Sequence, residues 1–159
     1  LKKMGVPFLP YETYGRSPLE NSSFLVSSAN FNEKIHGKGF VARLSGSTAE
    51  FLQMWELMMN GEKLFTMQDG TLTFKLAPAI PAYLVKDDGK VETTLFGKIK
   101  VVYDCGSKRD LIPGQYAVTK YELVAADGSI ESCEAATVSG EAAQRIRDGK
   151  VAEIRVTIQ

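Results

Sequence analysis

One histidine, two cysteines and one tryptophan in 159 residues rule out several kinds of chemistry. A single imidazole and two distant thiols, Cys105 and Cys133, cannot assemble a structural zinc site. The cysteine spacing fits no redox motif, and a chain of this size does not depend on a disulfide. Free thiols in a reducing, cytoplasmic setting are therefore expected. Excess charge is missing too: 19 basic residues balance 19 acidic ones, which removes the electrostatic case for a nucleic-acid or anionic-membrane partner. No apolar run approaches the ~20 residues of a membrane span. The opening LKKMGVPFLPYE lacks the apolar core of a signal peptide. Nucleophilic-hydrolase signatures are absent. LSGST has the wrong spacing for a G-x-S-x-G elbow, and GKGF lacks the Gly-Lys-Ser/Thr of a P-loop. A Cys105–His36 pair would have to join two differently built parts of the chain.

What is present changes character near the middle. Through residues 1–46, Tyr11, Tyr14, Phe24, Phe31 and Phe40 are scattered among Ser, Asn, Gly and Pro without period. A stretch this long and irregular serves a site or packs on something else. Ser47 and Glu50 then form an S-x-x-E pattern, the signature of a capping box, before a helix expected over 48–60. In that helix Gln53, Glu56 and Asn60 make one narrow polar stripe. Phe51, Leu52, Met54, Trp55, Leu57, Met58 and Met59 cover the rest, which predicts burial on nearly every side. Gly61 is the stop signal.

After Gly61 the period falls to two. TLTFKL alternates, KVETTLFGKIKVVY sets Val91, Leu95, Ile99, Val101 and Tyr103 on one face, and VAEIRVTI sets Ala152, Ile154, Val156 and Ile158 on another. QYAVTKYELVA and SIESCEAATV also read as strands, and SGEAAQRIRDGK reads as a short helix capped by Ser139. Asp-Gly at 69–70, 88–89, 127–128 and 148–149 favours tight turns. The expected fold is mainly β with a helical N-terminal piece, an antiparallel β-sandwich filling 62–159. One thoroughly apolar helix and a loop-rich leader cannot make their own core. Residues 1–61 are therefore expected to close a larger helical domain, and a chain opening on Leu1 suits that expectation.

The start of the helix has chemistry of its own. A helix N-terminus presents unpaired N–H groups and partial positive charge. Gly46 lets backbone approach a ligand, and Ser45, Ser47 and Thr48 add hydroxyls, a combination able to hold phosphate. His36, in HGKG, could add a charge-assisted hydrogen bond. Two other readings stay open at this point. Ser47 caps the helix with Glu50 beside it, a carboxylate that repels an anion, and His36 serves the turn.

Beyond these local features, HGKGFVARLSGSTAEFLQMWELMMNGEKLFTMQDGTLTFKLAPAIP resembles the end of the catalytic domain in glycoside hydrolase family 94, the inverting phosphorylases of β-linked glucosides. HGKG, LSGST, the helix, MQDGTLTF and LAPAIP stand in the family's order at similar spacing, and YETYGRSPLENSSFLVSSAN looks closest to the branch acting on 1,2-β-oligoglucans. Ser45 and Ser47 replace the family's threonines. The resemblance covers roughly residues 10–85. It implies the last segment of an (α/α)6 barrel followed by a β-sandwich, with phosphate bound at Ser45, Gly46, Ser47, Thr48 and His36. Glu20 and Phe24 stand where family members contact the acceptor sugar. It further implies phosphorolysis of a β-glucooligosaccharide to α-glucose 1-phosphate, with inorganic phosphate as co-substrate and neither metal nor organic cofactor. The family's general acid lies upstream of this segment, so the chain alone would lack a catalytic acid and would depend on the rest of the catalytic domain. A homodimer of the intact protein stays open. The reading from a different class is a non-catalytic β-sandwich that binds carbohydrate or a partner, lined by Tyr83, Tyr103, Tyr116 and Tyr121.

Overall fold

The structure, a computed structural model, describes residues 9–14, 26–38 and 45–159. The chain divides into two compact units, Leu1–Glu56 and Leu57–Gln159. The division falls inside a helix rather than at Gly61, so the last turn of that helix belongs with the β part.

In the first unit, α1 is a single turn, Tyr11–Tyr14. Residues 26–38 form a loop closed on itself: Val26 N–H donates to the Lys38 carbonyl at 2.8 Å, and Gly37 N–H donates to the Val26 carbonyl at 2.9 Å. Helix α2 then runs without a break over Ser45–Asn60. It starts earlier than Ser47 and Glu50 suggest. Ser47 is thus the third helical residue, and Glu50 is an exposed side chain in the second turn rather than the partner in a capping box.

Eight strands and a helix follow: β1 Phe65–Gln68, β2 Thr71–Phe74, β3 Lys90–Leu95, β4 Ile99–Asp104, β5 Val118–Val124, β6 Ile130–Cys133, β7 Val138–Ser139, α3 Glu141–Arg147 and β8 Glu153–Ile158. They build a three-stranded sheet in the order β1-β2-β7 and a five-stranded sheet in the order β3-β4-β8-β5-β6. The unit is mainly β in a sandwich-like arrangement. It departs from the expected antiparallel sandwich in one pairing, because β8 lies parallel to β4. The connection from β4 to β8 runs through β5, β6, β7 and α3, long enough to return the chain for a parallel approach.

The alternating faces read from the sequence hold. Val91, Leu95, Ile99, Val101 and Tyr103 are all buried, on two strands joined by a turn at Phe96 and Gly97, where both φ angles are positive. Ile154, Val156 and Ile158 are buried as expected, whereas Ala152 lies before β8 and is exposed. In β5 a register irregularity between Val118 and Lys120 changes the spacing, so that Val118 and Tyr121 both point inward. Phe74 of β2 meets Tyr121 of β5 edge-on at 6.1 Å, and the Tyr121 hydroxyl accepts the Leu76 N–H at 3.0 Å. These contacts join the two sheets around one core.

Turn chemistry explains two further details. Asp69 and Gly70, with φ of 48° and 76°, connect β1 and β2 as a two-residue hairpin, whereas Gly149 follows the end of α3 instead of joining strands. Ser139 does not cap α3. It pairs with Thr73 as the last residue of β7, and Gly140 occupies the cap at φ 65° with no side-chain bond. Among the described residues no helix is long and apolar enough to cross a membrane.

Candidate anion site at the start of a helix

The residues singled out in the sequence fall into three groups. Ser45, Gly46, Ser47 and Thr48 form the first turn of α2, a helix of 16 residues with no acidic residue in that turn. The backbone there is described, the four side chains are not. His36 ends a short 3-10 turn, Glu33–Ile35, inside the closed loop. Its Nε2 lies 2.7 Å from the Asn30 carbonyl and donates to it, so the ring holds the loop together through that nitrogen. Glu20 and Phe24 lie outside the described residues.

The early helix start matters electrostatically. Four N–H groups at a helix N-terminus have no partner within the helix, and the macrodipole favours an anion there. Glu50, read as a repelling carboxylate at the cap, stands one turn further in and faces solvent. The first turn thus carries only serine, glycine and threonine.

The rest of α2 differs from its expected burial. Leu52, Met54 and Leu57 are 55%, 40% and 42% exposed, while Met58 and Met59 are buried. Asn60, expected on a polar stripe, is 2% exposed, because the segment following β2 packs against the last turn.

Of the four tyrosines named for a binding groove, Tyr116 lines a cleft of about 310 Å³ with Leu76, Pro113 and Val118. Tyr103 and Tyr121 are fully buried, and the Tyr116 hydroxyl donates to the Pro78 carbonyl at 2.7 Å. Burial pushes the phenols of Tyr116 and Tyr121 up to about 12, so both remain neutral donors. Tyr83 is the exposed member of the four, at 40%. Cys105 is a free, buried thiol whose pKa burial raises, the opposite of an activated nucleophile.

An open groove of about 670 Å³ lies on the outer face of the five-stranded sheet. Most of its charges are paired in a continuous series, with Asp88, Lys90 and Asp104 outside it. Lys86 pairs with Glu92 at 2.9 Å, Glu92 with Lys100 at 3.4 Å, and Lys100 with Glu153 at 3.8 Å. Glu153 pairs with Arg155 at 2.6 Å, Arg155 with Glu122 at 3.8 Å, Glu122 with Lys120 at 2.9 Å, and Lys120 with Glu134 at 3.2 Å. Five acidic and four basic side chains line the groove, a nearly balanced set, and we read it as a solvated sheet surface.

This series predicts a pH window. The hydrogen bond from Lys86, aided by Lys100, holds the Glu92 carboxyl below its usual value, while carboxylate partners hold Lys86 and Lys120 above theirs. The carboxylate contribution is present above the unfolded value of about 4.3 and is lost as pH falls through the depressed folded value. The lysine contribution is present below about 10.4 and is lost as pH rises through the elevated folded value. Thermal midpoints at low salt should therefore be level between these limits and fall outside them. The acid slope should be smaller in Glu92→Gln than in the parent. An identical slope in both would remove Glu92 from the series.

In comparisons with known proteins, no family model, no curated protein and no solved structure matches the chain.

Proposed function

We propose that the chain is the C-terminal portion of an inverting phosphorylase of the glycoside hydrolase family 94 type. It cleaves β-glucosidic bonds with inorganic phosphate and releases α-glucose 1-phosphate. In this reading α2 is the last helix of an (α/α)6 barrel, and the two sheets are the domain that follows it in a cytoplasmic enzyme. The observation that carries the reading is the first turn of α2: Ser-Gly-Ser-Thr on a helix of 16 residues with no acidic residue within that turn. The exposed Leu52, Met54 and Leu57 supply apolar surface for the remainder of the helical domain to cover.

Phosphate takes the place of the attacking water in an inverting glycosidase, and one carboxylic acid protonates the leaving oxygen. That acid belongs to the upstream part of the enzyme. Here the backbone N–H groups of the first turn, with the hydroxyls of Ser45, Ser47 and Thr48, bind and orient phosphate. With His36 Nε2–H donating to the Asn30 carbonyl, Nδ1 of the neutral ring is an acceptor for the P–OH of hydrogen phosphate, and it donates to the anion only as the imidazolium. Glu20 and Phe24 contact the acceptor sugar.

The test is kinetic. The enzyme containing this chain should release glucose 1-phosphate from β-glucooligosaccharides, and the 159-residue chain alone should release none. Ser45→Ala removes one hydrogen bond to an anion, worth roughly 1.5–3 kcal/mol, so apparent phosphate affinity should fall about ten- to a hundredfold. Acceptor affinity should hardly change, and Glu20→Ala should show the reverse. Unchanged phosphate saturation in Ser45→Ala would put the anion elsewhere.

A further inference from the structure

We propose that the free edge of β1 pairs antiparallel with β1 of a second copy of this chain, joining two three-stranded sheets into one. The proposal rests on the β unit alone and is independent of the phosphorylase reading.

A strand at the edge of a sheet presents unpaired N–H and C=O groups, and proteins guard such edges with charge, proline, a bulge or shortness. The two sheets end in β1, β7, β3 and β6. β7 is only 2 residues long, β3 carries Lys90 and Glu92, and β6 carries Glu131. β1 reads Phe-Thr-Met-Gln, without charge or proline, and pairs with β2 without a bulge. Its apolar side chains are poorly covered. Met67 is 63% exposed, and Phe96, itself 48% exposed, stacks on Phe65.

The register identifies the free groups. Thr66 faces Thr73, Gln68 faces Thr71, and the Lys75 N–H donates to the Leu64 carbonyl at 2.9 Å. Bonded and non-bonded pairs alternate along an antiparallel ladder, so Leu64, Thr66 and Gln68 bond towards β2. The N–H and C=O of Phe65 and Met67 therefore point away from β2, and among the described residues no backbone hydrogen bond from another segment reaches them.

A second copy satisfies both residues. With Thr66 on the twofold axis, Phe65 of each copy exchanges both backbone hydrogen bonds with Met67 of the other. The same register sets the Phe65 ring beside the exposed Met67 side chain and Gln68 beside Leu64. Just outside the strand it brings Lys63 opposite Asp69. Both are exposed, and among the described residues neither has an ion-pair partner. Opposite charges meet at both ends of the contact and no like charges oppose each other, which favours a second copy over an unrelated strand. The contact is small, so the pairing is weak and reversible.

In sedimentation equilibrium the 159-residue chain should pass from monomer towards dimer as its concentration rises to about 1 mM. Met67→Pro removes an outward N–H and leaves the bonds to β2 in place, as an edge strand allows. It should weaken dimerisation at least about tenfold, the effect of lost backbone hydrogen bonds, with the circular dichroism spectrum unchanged. Thr66→Cys tests the register. Residue 66 and its copy form a non-bonded pair with Cα atoms about 4.5 Å apart, within disulfide reach. In a Cys133→Ser background, mild oxidation should link Thr66→Cys chains into dimers through position 66. Gln68→Cys, on the same face, should not link, because position 68 stands about 14 Å from its copy. If Met67→Pro loses its fold, the two cysteine variants decide. A chain that stays monomeric up to about 1 mM, dimerisation untouched by a folded Met67→Pro, or equal linking at 66 and 68 overturns the proposal.

Discussion

Gly61→Ala should destabilise the β unit by about 2–4 kcal/mol, from backbone strain and overpacking together. Gly61 has φ +96°, outside the range an L side chain adopts comfortably, and a Cβ there would stand 3.0 Å from both the Cβ and the carbonyl oxygen of Ala77. Ala77 cannot retreat freely, because its N–H holds the Asn60 carbonyl. Gly70→Ala is the comparison. Its φ is +76°, but nothing lies within 4 Å of the added atom, so strain acts there without crowding. For a unit of about 100 residues, each kcal/mol moves the thermal midpoint by roughly 4–8 °C. Gly61→Ala should therefore melt about 10 °C or more below the parent, and clearly below Gly70→Ala. Equal losses in the two variants would mean that contact with Ala77 plays no part.

Phe74→Ala should cost still more, about 3–5 kcal/mol, the range for emptying a buried aromatic site. The Phe74 ring is fully buried, lies 5.1 Å from Phe65 on the neighbouring strand, and meets Tyr121 of the other sheet. Its removal takes away a contact between the sheets, and the surrounding strands can fill the void only by leaving their hydrogen-bonded register. Denaturant unfolding followed by fluorescence or circular dichroism measures the loss. Phe96→Ala sets the scale for a partly exposed ring, since Phe96 is 48% exposed and stacks on Phe65 at 6.2 Å. A loss in Phe74→Ala no greater than in Phe96→Ala would show that the sheets are not held together at this ring.

The alternation in residues 91–103 and 154–158 suffices by itself to assign the buried faces, because a strand with one face on a core must repeat every two residues. Gly61 as helix stop and Asp69-Gly70 as hairpin turn are legible for a similarly local reason: both need positive φ. β1 is not legible, since Phe65–Gln68 is short and mostly exposed and carries no alternation of its own. Other features depend on distant partners. The parallel β4–β8 pairing, the burial of Asn60 and the use of Ser139 as a strand residue follow from what the rest of the chain brings alongside. At the candidate site, the sequence supplies Ser45–Thr48 and His36, but its S-x-x-E pattern puts the helix start three residues late. Nor does it reveal that the Asn30 carbonyl occupies Nε2 of His36, a contact set by loop closure. The bond from the Tyr103 hydroxyl to the Met59 carbonyl, at the end of α2, belongs wholly to tertiary structure. Nothing local tells Tyr103 from any other buried tyrosine; only the packing of β4 against the helix end, 44 residues away in sequence, turns its hydroxyl into a cap.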